Sequence, residues 1–168
     1  MVYAYYGIGQ GKTSTLNGLC LRAIASKKPI LYIRFFKNIK SSEDDILNKL
    51  NVKVHLFQTT KSFIWTKNLK EREKIINDAK NAINFLNKNY SKYKYIFLDE
   101  FIDLISNKIV TINFFCNFLK KISKNKYVFI SGHTMHKKIA AICDVLTKTE
   151  AEKHHYSKGV QAKKFIDF

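Results

Sequence analysis

Residues 5–16 read YYGIGQGKTSTL, a string of closely spaced glycines running into Gly11-Lys12-Thr13-Ser14. Small residues let backbone N–H groups turn inward on an anion, and the start of a following helix adds partial positive charge. Lys12 could neutralise phosphate oxygens there, and the Thr13 hydroxyl could face Mg²⁺. The common phosphate loop places a glycine, four residues, then Gly-Lys-Ser/Thr. Counting back in this chain reaches Tyr6, so the motif is the tighter G-x-G-x-G-K-T-S, through Gly7, Gly9 and Gly11.

Three further segments carry chemistry. YIFLDE, residues 95–100, is an apolar run ending in Asp99 and Glu100, whose oxygens suit Mg²⁺ either directly or through water. KSFIWTKN, residues 61–68, sets Phe63 and Trp65 two apart, able to form a flat apolar wall for a large planar ligand or simply to join the core. SGH, residues 131–133, follows another apolar run. His154 and His155 lack a spaced Cys, His or Asp partner and read as surface histidines.

The elements that must position these segments alternate. Strands are expected at Val2–Tyr6, Ile30–Phe36, Val52–Phe57, Tyr95–Leu98, Tyr127–Ile130 and Val145–Thr147. Apolar residues at helical spacing predict helices from Lys12 to about Ser26, around Ile75–Leu86, over most of Ile105–Ile122, and briefly at 135–142. Ser42 with Asp45 suggests a capping box for a short helix running to Leu50. Alternation of this kind implies an α/β fold with a mainly parallel sheet of about six strands, helices covering both faces. Ligands in such folds bind beyond the carboxyl ends of the strands. The glycine loop, LDE, SGH and a loop over 58–67 should therefore meet at one edge.

A chain of 168 residues with 46% hydrophobic content is expected to form one domain. No apolar run approaches the ~20 residues of a membrane span, and no room is left for a signal peptide ahead of the first strand. Cys20, Cys116 and Cys143 are far apart and outside any C-x-x-C pair, so they read as buried thiols in a reducing cytoplasm. The net charge of +17 would suit nucleic acid, yet it comes from lysines scattered over every segment, with arginine only at 22, 34 and 72. A solvated basic surface that attracts acidic partners at low salt is the simpler reading.

The glycine loop, the Phe63/Trp65 segment, LDE, SGH and the ending KHHYSKGVQAKKFIDF occur in the order found in ATP:corrinoid adenosyltransferases, which this chain resembles over nearly its whole length. The family's C-terminal pattern is matched at Lys153, His154, Tyr156, Gly159, Val160, Ala162, Ile166, Asp167 and Phe168. The resemblance implies a three-layer RecA-like P-loop fold over 1–168, with the tail 151–168 near the active site. It implies a homodimer that uses ATP, Mg²⁺ and a Co(I) corrinoid, moving the 5′-deoxyadenosyl group to cobalt and releasing triphosphate. It also implies that ATP lies in the reverse sense to ordinary P-loop enzymes, with C5′ facing the corrinoid.

Carried over, Gly7, Gly9, Gly11, Lys12, Thr13 and Ser14 match the phosphate grip; Thr13, Asp99 and Glu100 match the magnesium side; Lys12, Thr13 and Glu100 are the expected catalytic residues. Phe63 and Trp65 match the aromatics that wall the corrinoid's lower face and exclude its axial ligand, leaving a four-coordinate Co(II) that is easier to reduce. A flavin-containing protein is the expected electron donor. The chain also departs from the family. Ile8 and Gln10 stand where the loop has Asn and Lys, His133 stands where SG is followed by an Arg that meets phosphate and is itself a candidate for the ATP phosphates, and Thr66-Lys67-Asn68 replaces Glu-Thr-Gln. These departures leave two alternatives in view: an ATP or corrinoid binder with weak transferase activity, or a P-loop ATPase acting on nucleic acid.

Overall fold

The computed structural model describes residues 1–153, 159, 163, 165 and 166. His154, His155 and most of the C-terminal pattern lie outside the described residues. Twelve elements follow one another: β1 (Val2–Tyr6), α1 (Lys12–Ile24), β2 (Ile30–Arg34), α2 (Ser42–Lys49), β3 (Val54–Leu56), α3 (Leu69–Asn89), β4 (Tyr95–Asp99), α4 (Asp103–Ser106), α5 (Ile112–Ser123), β5 (Tyr127–Gly132), α6 (Lys137–Ala140) and β6 (Val145–Lys148). The strands form one sheet in the order β3-β2-β4-β5-β1-β6, and every pairing is parallel. This is the RecA-like P-loop architecture expected. The glycine-loop strand β1 and the acid-bearing strand β4 are separated by β5.

Alternation along the strands divides the core in two. Leu31, Ile33, Ile96, Leu98, Val128 and Ile130 face α3, α5 and α6. Tyr32, Phe97 and Phe129 point the other way, against Leu16, Cys20 and Ala23 of α1 and Leu47 of α2. Both faces are apolar, which is why these strands read as continuous hydrophobic runs. On the α1 side the rings stack across four strands: Tyr32 on Phe97 at 5.5 Å, Phe97 on Phe129 at 4.5 Å, Phe129 on Tyr3 at 4.8 Å. Removing the central ring, as in Phe97→Ala, would cost about 3–5 kcal/mol.

Helix starts follow local chemistry. The Asn68 side chain accepts from the N–H groups of Lys70 and Glu71 at the head of α3, and Thr111 accepts from Phe114 at the head of α5. The α2 capping box is formed by Ser41 and Asp44, one residue before the pair read from sequence. The stretch 105–122 is two helices rather than one. Lys108 has φ +58°, the chain turns through 107–111, and Thr111 caps a new start. All three cysteines are free, Cys20 buried and the others half-buried. No described helix is long and apolar enough to cross a membrane.

Candidate functional site

The carboxyl edge of the sheet brings the motifs together. β1 runs into Gly7, β4 into Glu100 and β5 into His133, while Arg34 of β2 is the register partner of Asp99. The glycine loop is pressed against the end of β5 and the chain leaving β6: the Gly7 N–H donates to the Gly132 carbonyl at 3.2 Å and the Gly9 N–H to the Thr149 carbonyl at 3.2 Å. A Cβ on Gly7 would come within 2.1 Å of the Thr149 oxygen, so no other residue fits there. Gly11 heads α1 in a left-handed conformation, φ +93°, with no side-chain cap. Lys12 curls back over the loop, its Nζ donating to the carbonyls of Gly7 and Gly9 at 2.7 Å each. Burial lowers the Lys12 pKa, against the opposing pull of Asp103, Glu100 and Asp99.

Thr13 ties this loop to the acid strand, its hydroxyl donating to Asp99 Oδ2 at 2.9 Å. Asp99 is buried and accepts again from the Ser131 hydroxyl at 2.6 Å through Oδ1. Behind it lies Arg34, fully buried, with Nη2 2.7 Å from Asp44 and Nη1 3.2 Å from Glu43 and 3.8 Å from Asp99. Asn17 of α1 accepts from Arg34 and from the Tyr32 hydroxyl. Burial alone would disfavour the guanidinium, but Tyr32, Asp99, Asp44 and Glu43 outweigh it and raise its pKa. Glu100 follows in a left-handed conformation, φ +58°, its N–H donating to Ser131 Oγ at 2.8 Å. Burial first, then Asp99 and Asp103, push the Glu100 carboxyl up to about 7. A non-glycine residue at positive φ costs on the order of 1 kcal/mol and is commonest where function requires it.

His133 is held by an acid the sequence reading missed. Asp103, at the start of α4, is buried; its Oδ1 accepts from the His133 N–H at 2.9 Å and its Oδ2 lies 2.7 Å from His133 Nδ1. A Cβ on Gly132 would meet Ile102 at 2.6 Å and Asp103 Oδ1 at 3.2 Å, so glycine is what lets this approach happen. Lys37, also missed, lies three residues past β2. The chain reverses at Phe36, φ +54°, and Lys37 lines a cleft of about 580 Å³ with Thr13, Ser14, Glu43, Phe165 and Ile166. It acts electrostatically on both Glu43 and Glu100.

The aromatic pair is on the surface, not in the core. Phe63 is 61% and Trp65 75% exposed, their rings stacked at 4.6 Å and only 2° from parallel. Their loop is tied to α3 through Ser62 with Glu71 and Thr59 with Asp78, and to the β2 exit through Asn38 Nδ2 on the Thr60 carbonyl at 2.6 Å. Gln58 Nε2 bridges the Thr60 and Ser62 carbonyls across its base. Ile8, at the tip of the glycine loop, is 82% exposed.

The arrangement suits a polyphosphate with a hard cation. Thr13 and Asp99 meet as oxygen donors, and Mg²⁺ is ordinarily held by one or two carboxylates plus substrate phosphates. A cage made by protein alone is a different matter: no group of three or more His, Cys, Asp or Glu among the described residues could hold a metal ion.

The whole chain, residues 1–168, matches the family described as ATP:corrinoid adenosyltransferase BtuR/CobO/CobP. The corrinoid adenosyltransferase of Escherichia coli (strain K12) is 22% identical over 174 residues, covering 100% of this chain and 85% of that protein. The corrinoid adenosyltransferase of Escherichia coli O6:H1 gives the same figures. Among solved structures, domain III of the Thermotoga maritima replication initiation protein DnaA has a TM-score of 0.47 at 16% identity, covering 89% of this chain and 54% of that one. That likeness is loose and bears on neither substrate nor mechanism.

Proposed function

This chain belongs to the ATP:corrinoid adenosyltransferase family, and from that premise we propose that it transfers the 5′-deoxyadenosyl group of ATP to the Co(I) of a corrinoid. Co(I) is the nucleophile. Its electron pair forms the bond to C5′, the C5′–O bond breaks, and triphosphate leaves with the electron pair of that broken bond. No general base is needed, and the protein's work is positioning and leaving-group charge. Lys12 and the loop amides other than those that Gly7 and Gly9 give to Gly132 and Thr149 would hold the polyphosphate, and Ser14 stands at the head of the following helix beside them. Thr13 and Asp99, with Glu100 beside them, would hold Mg²⁺, which when bound supplies further positive charge to the phosphates. Phe63 and Trp65 offer the corrinoid a flat apolar wall, which is how a protein tunes a cofactor without doing its chemistry.

The observation that carries this reading is the 2.9 Å bond joining Thr13 to Asp99, glycine loop to acid strand, in a chain that matches the family throughout. The reading takes residues 1–168 as one cytoplasmic domain, and Phe165 and Ile166, which line the cleft with Thr13, support a tail near the active site. It takes the working form as a homodimer that receives electrons from a flavin-containing protein, on the family resemblance alone. Anaerobic turnover with ATP and chemically reduced cob(I)alamin tests it. Accumulation of the adenosylated product is expected; folded, ATP-binding protein that forms none would overturn the assignment.

A further inference from the structure

We propose that Asp103 and His133 form an anion clamp in which an imidazolium, gripped by the Asp103 carboxylate, presents its second N–H to the polyphosphate of the nucleotide. The clamp rests on the reading that the glycine loop holds that polyphosphate. Its geometry is specific. Both carboxylate oxygens of Asp103 are spent on one residue, Oδ1 on the His133 backbone N–H and Oδ2 on Nδ1. A carboxylate only accepts, so Nδ1 carries a proton, and the acceptor or second donor of the ring is Nε2. The His133 side chain is 55% exposed while that of Asp103 is 7% exposed, so the acid is fixed in the wall and the ring reaches outward. His133 directly follows Gly132, whose carbonyl accepts from the Gly7 N–H, and its ring lies within electrostatic reach of Lys12 on the glycine loop.

The charged groups facing His133 are Asp103 from α4, Lys12 from α1 and Glu100 from the turn after β4. The hydrogen bond to Asp103 raises the His133 pKa, against burial and Lys12, with Glu100 helping. The clamp is therefore closed at low pH and opens as pH rises through that raised value. A carboxylate–histidine pair thus supplies a cation that the family resemblance assigns to an arginine, and supplies it conditionally. Asp103 is a positioning residue here; His133 is the group that touches phosphate.

Calorimetric titration with inorganic tripolyphosphate, from about pH 6 to pH 8.5, tests this in the intact protein. Tripolyphosphate and Glu100 also titrate in this range, so the readout is the ratio of wild-type affinity to that of His133→Gln at each pH. The ratio should be about 5- to 10-fold at the acid end and approach one at the alkaline end. His133→Arg should keep the affinity and lose that pH dependence, and Asp103→Asn should move the fall of the ratio to lower pH. A ratio near one throughout, while Lys12→Ala abolishes binding, overturns the clamp and leaves the phosphate loop standing. Binding indifferent to Lys12→Ala overturns both. His133 is exposed enough that its variants should fold, and thermal melting checks Asp103→Asn separately.

Discussion

The two halves of the proposed site are built by opposite means. On the phosphate side the polar groups hold one another: Thr13 and Ser131 on Asp99, Arg34 on Asp44, His133 on Asp103, most of them buried. On the aromatic side, Phe63 and Trp65 stack on each other in the open, on a loop tied down by a few side-chain bonds at its base. Charge that must be stabilised as it develops demands donors fixed in advance, because reorganising them would consume the gain. A wall for a large apolar surface needs only shape and area, and it stays exposed until that surface arrives. The two sides should therefore fail differently: the first through electrostatics and folding together, the second through activity alone.

Lys12→Ala should do the most damage, lowering kcat/KM with supplied Co(I) by about 100- to 1,000-fold, the range typical of losing a leaving-group or oxyanion donor. Near-wild-type turnover of this variant would break the contrast at its centre. Arg34→Ala should come next and act on stability. It strands Asp44 and Asp99 in the interior, and denaturant unfolding should register a loss of about 3 kcal/mol.

Glu100 offers a sign test. Its folded carboxyl is raised above the ordinary value of 4.5 to about 7, so the folded state holds a proton the unfolded state gives up. That contribution is fully present below about pH 4.5 and lost as pH climbs through about 7, a fall of about 2–3 kcal/mol across the window. Glu100→Gln should remove that fall, leaving a flatter stability profile; an unchanged slope would place the acid's environment elsewhere.

Trp65→Ala should have the smallest effect. About 10-fold of activity should vanish when cobalt is reduced on the enzyme, and little when Co(I) is supplied, with unfolding free energy within about 0.5 kcal/mol of wild type. A loss of stability as large as that of Arg34→Ala would mean that the aromatic loop is structural after all.

Most of the architecture could be read in advance, because strands covered on both faces leave apolar runs and end where motifs begin. The Asp99–Glu100 pair and the glycine loop were visible for that reason. The capping box slipped by one because SSEDD offers two serines three residues ahead of two aspartates, and only the backbone decides between the frames. The long helix over 105–122 was over-read because Ile109 and Val110 continue the apolar content through a turn whose cue, a left-handed Lys108, has no distinctive residue type. Arg34 looked like one more scattered base, and Asp103 like one more acid. Arg34 reaches Glu43 and Asp44 from across a strand end and Asp99 from 65 residues away, and His133 lies 30 residues from Asp103; no local pattern announces such bonds.

β1 lies between β5 and β6, Val2 opposite Val128 and Tyr3 opposite Val145, and the turn that follows β1 leans on Thr149. A nascent chain thus carries its glycine turn from the outset but cannot shape it until the ribosome has delivered residues more than a hundred positions downstream. Such distant closure is slow, and nucleotide capture should switch on late in synthesis, in step with the docking of the β6 edge.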